Sequence, residues 1–425
     1  MIDINLIREN RELVKENIKK KFKDDRIPLV DEVYELDIKF RNAKKEADDL
    51  RNEKNKLSSE IGFLIKENKV TEIENNKKRI SEISGRIKEL EVLEEEYEPK
   101  IKSLMYKIPN IIDESVPIGK DDSENVEIER FGEATVPSYE VPYHADILEK
   151  LSGLDKESAG RTSGNGFYYL MGNVARLHSA MLSYARDFMI EKGFTYCVPP
   201  FMIRSDVVNG VMSFEEMDAM MYKIENEDLY LIGTSEHSMI GKYKGQIINE
   251  ENLPITLTSY SPCFRKEVGA HGIEERGVYR VHQFEKEEMI VLCTKEEGMD
   301  WYNKMLSYTV EFFRSMNVPV RTLECCSGDL ADLKQKSADV EAWSPRQQKY
   351  YEVGSCSILG DAQARRLGIR SKGINGTKFV TTLNNTVIAS PRGMIAVIEN
   401  NYNEDGSITI PEVLRPYMGN LNVIK

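Results

Sequence analysis

Residues 260–291 read YSPCFRKEVGAHGIEERGVYRVHQFEKEEMIV, and the rest of the chain is organised around this stretch. Two runs with strand-like content, 256–267 and 278–291, flank a polar loop. The loop contains three glycines, Gly269, Gly272 and Gly277. Strand-like runs separated by a polar, glycine-bearing loop are typical of a long antiparallel hairpin.

Alternation along this hairpin predicts one polar, charged face around a single aromatic ring. Side chains two residues apart on a strand share a face, so Arg265 and Glu267 point together on the first strand. The same rule groups four side chains on the second strand: His282, Phe284, Lys286 and Glu288. Phe284 and Glu288 lie about 13 Å apart along an extended strand, so a base can stack at one position and an amino acid can bind at the other. The alternative is a solvated hairpin face with ordinary cross-strand ion pairs.

The composition is that of a globular protein, with 425 residues of which 40% are hydrophobic and 30% are charged. A chain of this length holds two or three domains. The net charge of −13 argues against indiscriminate coating of nucleic acid, although a local basic surface can still bind a polyanion. Residues 1–10 lack a signal-peptide core, and no run approaches the roughly eighteen apolar residues of a membrane span. We therefore expect a cytoplasmic protein.

The six cysteines form no CxxC pair, and the five histidines form no HxxxH or HExxH motif. Zinc is therefore not expected as a cofactor. Few and irregularly spaced cysteines indicate a reducing compartment rather than a disulfide framework.

Two heptad seams follow a short helical lead-in that we expect to stop at Pro28. The first seam is Val33, Leu36, Phe40, Ala43, Ala47, Leu50, Leu57, Ile61 and Leu64. The second is Ile80, Ile83, Ile87, Leu90, Tyr97, Ile101, Leu104 and Ile108. Two narrow apolar stripes joined near residues 68–71 predict an antiparallel arm over about residues 31–106, roughly 45–50 Å long. A dimerising coiled coil is the alternative, and the matched seams and short polar turn favour the arm.

Prolines and glycines punctuate residues 109–170, so we place a domain boundary near 110–130. The chain then divides into an N-terminal domain, 1–110, and a C-terminal domain, 111–425. An apolar stripe predicts a helix from about Val174 that ends at Gly193, and an extended run, 194–202, follows. Pro199 and Pro200 close this run, which is expected at a sheet edge because proline lacks a ladder donor.

Three segments resemble motif two of class II aminoacyl-tRNA synthetases, in the form seen in the seryl-tRNA synthetase family. They are Phe264-Arg265-Lys266-Glu267, Arg280-Val281-His282-Gln283-Phe284, and Glu288. The match extends over nearly the whole chain, and the helix, extended run and prolines before the hairpin resemble motif one, the homodimer interface of the family. The resemblance implies an α+β fold, with an N-terminal antiparallel coiled-coil arm that binds tRNA. It implies a class II catalytic domain built on an antiparallel β-sheet flanked by helices.

Three further segments match the family. Thr234-Ser235-Glu236 stands where relatives carry Thr-Ala-Glu, although alone it is as typical of a helix cap. Glu352-Val353-Gly354-Ser355 resembles the Glu-x-x-Ser segment near ATP and Mg²⁺, and its alternative is a surface strand that ends in a turn. The segment 361–366, DAQARR, also matches, and its two arginines either contact substrate or pair with acidic residues.

Motif three of the class appears as residues 382–392, TLNNTVIASPR, followed by a helix that we predict over 393–400. Thr386 stands where many relatives carry serine, and Pro391 stands where they often carry glycine. The hydroxyl is preserved, whereas proline restricts the backbone more than glycine does.

The resemblance implies a role for each matching residue. Arg265, Glu267 and Arg392 would be catalytic. Serine would be bound by Thr234, Ser235, Glu236, Arg265, Glu288 and Thr386. ATP would be bound by Arg265, Lys266, Glu267, Val281, His282, Gln283, Phe284, Glu352, Val353, Gly354, Ser355 and Arg392, with Glu352 and Ser355 holding Mg²⁺.

The implied reaction has two steps. The serine carboxylate attacks the α-phosphate of ATP to give seryl-adenylate and pyrophosphate, and the terminal ribose hydroxyl of tRNA(Ser) then takes the seryl group. Charging of tRNA(Sec) is left open. The alternatives are a synthetase-derived coiled-coil tRNA-binding protein without catalysis, or a paralogue for another small amino acid. Threonyl and prolyl relatives typically carry a further domain of about a hundred residues, but only about thirty residues follow Arg392.

Overall fold

The protein is described by a computed structural model that covers residues 1–267 and 277–425, without the side chains of Phe214, Glu215 and Asp218. It separates into two compact units, Ile2–Pro109 and Asn110–Lys425, and Met1 belongs to the second. Gly269 and Gly272 of the predicted loop lie outside the described residues. Among the helices of these two ranges, none is both long enough and apolar enough to cross a membrane.

The N-terminal unit is helical. Its helices are α1 (Ile4–Glu9), α2 (Arg11–Lys20), α3 (Ile27–Lys66) and α4 (Val70–Lys107), with a three-ten turn at Asp24–Arg26. The prediction that Pro28 stops a helix is wrong, because Pro28 lies in the first turn of α3. The first turn tolerates proline, whose missing N–H would have no partner within the helix there.

Helices α3 and α4 form the predicted antiparallel arm. Seam residues of both helices are buried against each other, including Val33, Ala47, Ile83 and Leu90. The helices are 40 and 38 residues long, so the arm spans about 60 Å rather than 45–50 Å. The predicted length was too short because both helices extend beyond their apolar seams: α3 begins at Ile27 and α4 begins at Val70.

One buried carboxylate ties this unit together. Asp37 on α3 is 1% exposed, and it accepts hydrogen bonds from Arg8 of α1 at 2.7 and 2.9 Å and from Arg41 at 2.8 Å. Burial raises the pKa of Asp37, but these hydrogen bonds outweigh burial and the net shift is downward. Its stabilising contribution is therefore complete above the unfolded-state pKa of roughly 3.9 and is lost as pH falls through the lower folded value.

We expect Asp37→Asn to lower the free energy of unfolding by about 1–3 kcal/mol at neutral pH, since two arginines lose a charged acceptor. Chemical denaturation followed by circular dichroism measures this change. The matched control is Asp48→Asn on the same helix, whose carboxylate is 57% exposed and pairs with Arg51. An exposed pair contributes about 0–1 kcal/mol, so equal effects of the two substitutions would contradict the prediction.

The C-terminal unit alternates helices and strands. Its helices are α5 (His144–Lys150), α6 (Lys156–Ser163), α7 (Gly172–Glu191), α8 (Ser205–Val211), α9 (Phe214–Met220), α10 (Ser235–Gly241), α11 (Gly298–Ser315), α12 (Ala362–Leu367) and α13 (Ser390–Asn400). Its longer strands are β1 (Val126–Phe131), β8 (Ile255–Phe264), β9 (Gln283–Cys293), β10 (Val320–Glu324), β11 (Lys336–Ser344), β12 (Lys349–Gly360) and β15 (Thr381–Ala389). The short strands are β2 (Leu154–Asp155), β3 (Tyr169–Leu170), β4 (Thr195–Tyr196), β5 (Met202–Ile203), β6 (Tyr230–Leu231), β7 (Ile247–Asn249), β13 (Arg370–Gly373), β14 (Gly376–Phe379), β16 (Ile408–Thr409) and β17 (Val423–Ile424). Three-ten turns lie at Asp122–Glu124, Glu250–Asn252 and Glu412–Met418.

Eight strands of the described ranges form one sheet in the order β1-β10-β11-β12-β15-β9-β8-β4. All neighbours are antiparallel except β4, which runs parallel to β8 at the edge. The predicted antiparallel sheet flanked by helices is therefore confirmed. The extended run 194–202 was too long as a prediction, because only residues 195–196 join this sheet before Pro199 and Pro200 interrupt the ladder.

Strands β8 and β9 form the predicted hairpin, with Cys263 opposite Phe284. The strands end earlier on the loop side than predicted, so Arg265 and Glu267 lie beyond the ladder. Arg265 N–H still bonds to the carbonyl of His282 at 2.9 Å, but Lys266 N–H donates to the carbonyl of Met220 at 2.9 Å. The first strand leaves its partner at that point.

The two faces of β9 pack against different helices. Met289 and Val291 join a core with residues of α7, α11 and α13, whereas Ile290 and Leu292 join a core with residues of α10 and α12. Alternation therefore directs Phe284, Lys286 and Glu288 to the same side as α10. This side carries the candidate site.

Candidate active site

A cavity of about 460 Å³ lies at the α10 side of the large sheet. Twelve of the predicted site residues line it: Thr234, Glu236, Arg265, Glu267, Val281, Phe284, Glu352, Val353, Gly354, Ser355, Thr386 and Arg392. These residues come from four separated segments of the chain. The hairpin, the turn before α10, strand β12 and the β15–α13 connection therefore meet at one place.

The other five predicted residues lie outside the cavity wall: Ser235, Lys266, His282, Gln283 and Glu288. Ser235 is buried, and its hydroxyl donates to the carbonyl of Ser259. Gln283 is exposed and lies in a different surface depression. His282 Nδ1 lies 3.1 Å from the Tyr222 hydroxyl and 3.0 Å from the Arg265 carbonyl. Glu288 lies directly behind two lining side chains, described below.

Arg265 is held beside Phe284. Its Nε donates to the carbonyl of Gly233 at 3.2 Å, and its guanidinium carbon lies 5.2 Å from the centre of the Phe284 ring. A guanidinium at this distance interacts favourably with an aromatic face. The Gly233 carbonyl and the Phe284 ring fix the orientation of the Arg265 guanidinium. Its other N–H donors are then positioned to bind an anion.

Glu288 belongs to a compact buried group. Its side chain is 1% exposed, and its Oε2 accepts a hydrogen bond from Thr234 at 3.3 Å and forms an ion pair with Lys286. Thr234 and Lys286 both line the cavity. The carboxylate is thus positioned at the base of the cavity by the two side chains in front of it.

Glu236 is a second carboxylate near this group, and it is half-buried. It accepts hydrogen bonds from Gln363 at 2.8 Å and from Asn384 at 2.9 Å. Burial, followed by the negative charge of Glu288, raises the pKa of Glu236 to about 7. A carboxyl group that is poorly solvated and lies near another carboxylate gains most from a cationic ligand.

Another part of the cavity wall is formed by Arg392 and β12. Arg392 donates to Glu352 at 2.8 Å, and its guanidinium carbon lies 4.6 Å from the centre of the Tyr279 ring. Helix α13 begins at Ser390 with Pro391 in its first turn, so the predicted start at Gly393 was three residues late. A proline at this point is compatible with the helix, and it leaves Arg392 in the first turn.

The cavity wall also contains residues that were not predicted as site residues, among them Lys286, Asn384, Tyr279 and Asp339. The alternation of β9 had placed Lys286 on the correct face, so a signal for it existed. Asp339 lies on β11 opposite Ser355, a pairing that depends on the sheet order. Burial and the charge of Glu352 raise its pKa. Nothing local in the sequence around Asp339 indicated a site, whereas Tyr279 directly precedes the matched segment that begins at Arg280.

The arginines of the segment 361–366 lie away from the cavity wall. Arg365 pairs with Asp361 at 2.8 Å and lies over the Phe379 ring at 4.6 Å. Arg366 donates to the carbonyls of Asn209 and Met212. Of the two roles left open, pairing with an acidic residue describes Arg365, and Arg366 fastens the end of α8.

Comparisons with known proteins agree over the full length. Residues 1–112 match the seryl-tRNA synthetase N-terminal domain, and residues 220–401 match the tRNA synthetase class II core domain (G, H, P, S and T). The chain is 42% identical over 441 residues to a serine–tRNA ligase of Thermococcus sibiricus, an alignment that covers 99% of this chain and 96% of the relative.

Two solved structures superpose closely. The seryl-tRNA synthetase from Pyrococcus horikoshii, crystallised with ATP, gives a TM-score of 0.94 at 39% identity and covers 100% of this chain and 99% of its own. The cytoplasmic serine–tRNA ligase from Naegleria fowleri, in complex with AMP, gives 0.89 at 31% identity with the same coverage. The chain therefore belongs to the seryl-tRNA synthetase family of class II aminoacyl-tRNA ligases.

Proposed function

We propose that the chain activates L-serine with ATP to seryl-adenylate and transfers serine to the 3′ end of tRNA(Ser). The observation that carries this proposal is the convergence of Arg265, Glu236, Glu352 and Arg392 on one cavity. The cavity wall carries the guanidinium groups of Arg265 and Arg392, which can bind phosphates, and the carboxylate of Glu236, which can bind an ammonium group. The family membership supports the same reaction.

Catalysis of this reaction depends on the positioning of the substrates and on the stabilisation of charge. Arg265, held by the Gly233 carbonyl and the Phe284 ring, would steady the α-phosphate and the serine carboxylate as they approach each other. Phe284 would stack against adenine, and Arg392 would hold the γ-phosphate. Glu267 would be a catalytic residue beside Arg265. Its carboxylate lies 3.7 Å from the guanidinium of Arg280.

The residues proposed for Mg²⁺ are Glu352 and Ser355, and both line the cavity. They offer only oxygen donors, which suits a hard cation that takes its remaining ligands from phosphates and water. In the described ranges, no group of three or more His, Cys, Asp or Glu side chains is arranged to hold a metal by itself. Mg²⁺ bound at Glu352 and Ser355 would neutralise phosphate charge during adenylate formation.

Serine would lie beside Glu236 and Thr234. Glu236 would receive the ammonium group, and Thr234 and Thr386 would surround the side chain with Glu288 behind them. A site that hydrogen-bonds a substrate hydroxyl rejects an analogue without it by roughly 10⁴ or more. Alanine would therefore be excluded by its missing hydroxyl and threonine by its size.

Protonation of Glu236 should weaken serine binding, because its pKa is raised to about 7. Below that pH the carboxyl becomes neutral, so kcat/KM for serine should fall by up to about tenfold per pH unit. Above pH 7 the group is ionised and kcat/KM should level off. The KM for ATP in the same assays is the internal control, and Glu236→Gln should give low, pH-independent activity. A serine KM that is unchanged between pH 7.5 and 6 would contradict this role.

The arm is proposed to bind tRNA, as the resemblance implies, with tRNA(Sec) as a further substrate to be tested. A homodimer is proposed through α7 and β4, the unit that resembles motif one, and exposed apolar side chains lie within or shortly after these elements in the chain: Ile190, Val198 and Met202. A cytoplasmic location is proposed because the substrates belong to protein synthesis. All six cysteines are thiols without a disulfide, which suits that compartment.

Serine-dependent ATP–pyrophosphate exchange, measured against all twenty amino acids, tests the proposed activity. Serine alone should support rapid exchange, and the loaded enzyme should charge tRNA(Ser) transcript. Charging of tRNA(Sec) transcript in parallel tests the second substrate. Exchange with a different amino acid would assign the chain to another specificity, and exchange with none would favour a tRNA-binding protein without catalysis.

A further inference from the structure

Lys286 occupies an unusual position for a lysine. It lies on β9 between Phe284 and Glu288, lines the cavity and is only 8% exposed. Its Nζ forms an ion pair with Glu288 Oε2 and donates to Thr234 Oγ1 at 3.4 Å. Lysine is almost never buried unless its charge is paired, so the Lys286–Glu288 pair is a built feature of the cavity.

The contacts to Glu288 are all made by one of its oxygens. Thr234 and Lys286 both contact Oε2, and within residues 1–267 and 277–425 no hydrogen bond reaches Oε1. The backbone carbonyl of Glu288 accepts a hydrogen bond from the Thr258 hydroxyl at 3.0 Å. This bond ties β9 to β8 at this position. The carboxylate is therefore held in one orientation with one acceptor oxygen left for a ligand.

Glu236 and Glu288 are both carboxylates of the proposed serine pocket, so we compare how well each would bind the ammonium group of serine. Glu236 is contacted by the neutral amides of Gln363 and Asn384, so its negative charge is uncompensated by direct contact. Glu288 already shares its charge with Lys286. A cation therefore gains more from Glu236, whereas a neutral hydroxyl donor is well matched to Glu288 Oε1.

We propose that Lys286 is a positioning residue that restricts Glu288 to a neutral hydroxyl donor and thereby contributes to the selection of serine. The inference rests on the proposed serine pocket and deepens it. Lys286 acts in two ways: it orients the Glu288 carboxylate, and its charge disfavours a second cation on the ligand side chain. Discrimination by an unfavourable charge is a general route to specificity.

The probe is L-2,3-diaminopropionate, which is serine with an amino group in place of the hydroxyl. Pyrophosphate exchange is measured for serine and for this probe at a pH where the side-chain amine is protonated. Lys286→Met removes the charge and keeps the length, and Lys286→Arg keeps the charge. We expect Lys286→Met to raise KM for serine and to reduce the serine-to-probe ratio of kcat/KM by about tenfold or more, with Lys286→Arg close to wild type in that ratio.

The outcomes separate a specific role from a structural one. An equal loss for both substrates in Lys286→Met, with an unchanged ratio, would overturn the proposal. Equal ratios in the Met and Arg variants would overturn it too, because charge would then be irrelevant. If Lys286→Met does not fold, Lys286→Gln is used for the same comparison. If the exchange rates are too slow to measure, dissociation constants for the two amino acids are obtained from thermal shifts. Absence of serine exchange in the wild type would instead refute the proposed function.

Discussion

Replacing Glu288 with alanine is expected to abolish serine-dependent ATP–pyrophosphate exchange. The substitution removes the acceptor for the serine hydroxyl and leaves Lys286 without its carboxylate. Loss of a buried acceptor for a substrate hydroxyl costs roughly 10⁴ or more in discrimination, so exchange should drop below detection in a standard assay. The fold should survive, because Lys286 lines the cavity and its ammonium group can be hydrated there. Circular dichroism and thermal unfolding verify this.

The matched control lies one residue away on the same strand. Glu287 is fully buried on the opposite face of β9, where its Oε1 lies within hydrogen-bond distance of the Thr258 hydroxyl, at 2.6 Å. Burial raises the pKa of Glu287 to about 8, so the carboxyl is mostly neutral at pH 7 and glutamine resembles it. Glu287→Gln should therefore retain exchange. Near-normal exchange in Glu288→Ala would remove Glu288 from the serine pocket.

Shortening the arm is expected to separate the two steps of the reaction. Deleting residues 52–84 and closing the gap with a short Gly-Ser turn keeps Ala43, Ala47 and Leu90, which pack together below the cut. It removes five exposed lysines: Lys56, Lys66, Lys69, Lys77 and Lys78. Pyrophosphate exchange should stay near wild type, and kcat/KM for tRNA charging should fall by about a hundredfold or more as phosphate contacts are lost.

The same experiment carries its own controls. Exchange by the shortened protein reports whether the catalytic unit is intact. A full-length variant with Lys56, Lys66, Lys77 and Lys78 changed to glutamine keeps the arm and should show a smaller loss of tRNA affinity, with a weaker dependence on salt. Equal charging by the shortened and intact proteins would show that the arm serves a different purpose.

Local patterns were sufficient for the features that depend on periodicity. The three-four spacing of Val33 and its successors predicted the arm, and alternation from Phe284 to Glu288 predicted which side chains share a face. Both predictions depend on neighbours along the chain. The strand ends at Phe264 and Gln283 were harder to predict, because the first strand leaves the ladder when Lys266 bonds to Met220, a residue more than forty positions away.

The residues missed at the site depend on tertiary structure. Asp339 reaches the cavity only because β11 pairs with β12, and Tyr279 is recognisable only by its contact with Arg392. Pro391 gave the opposite difficulty. In the sequence Pro391 departs from the motif-three pattern, but in the first turn of α13 a proline is compatible with the helix.

Strand β9 places Lys286 on the cavity wall with Glu288 behind it, and it places Glu285 and Glu287 on the other face. A single inserted or deleted residue between positions 284 and 288 would exchange the two sets, since the side-chain period of a strand is two. Such a change would put Glu287 where Glu288 stands and turn the buried lysine towards α7. Length variation among descendants of this sequence should therefore be absent from these five positions, even where single substitutions are tolerated.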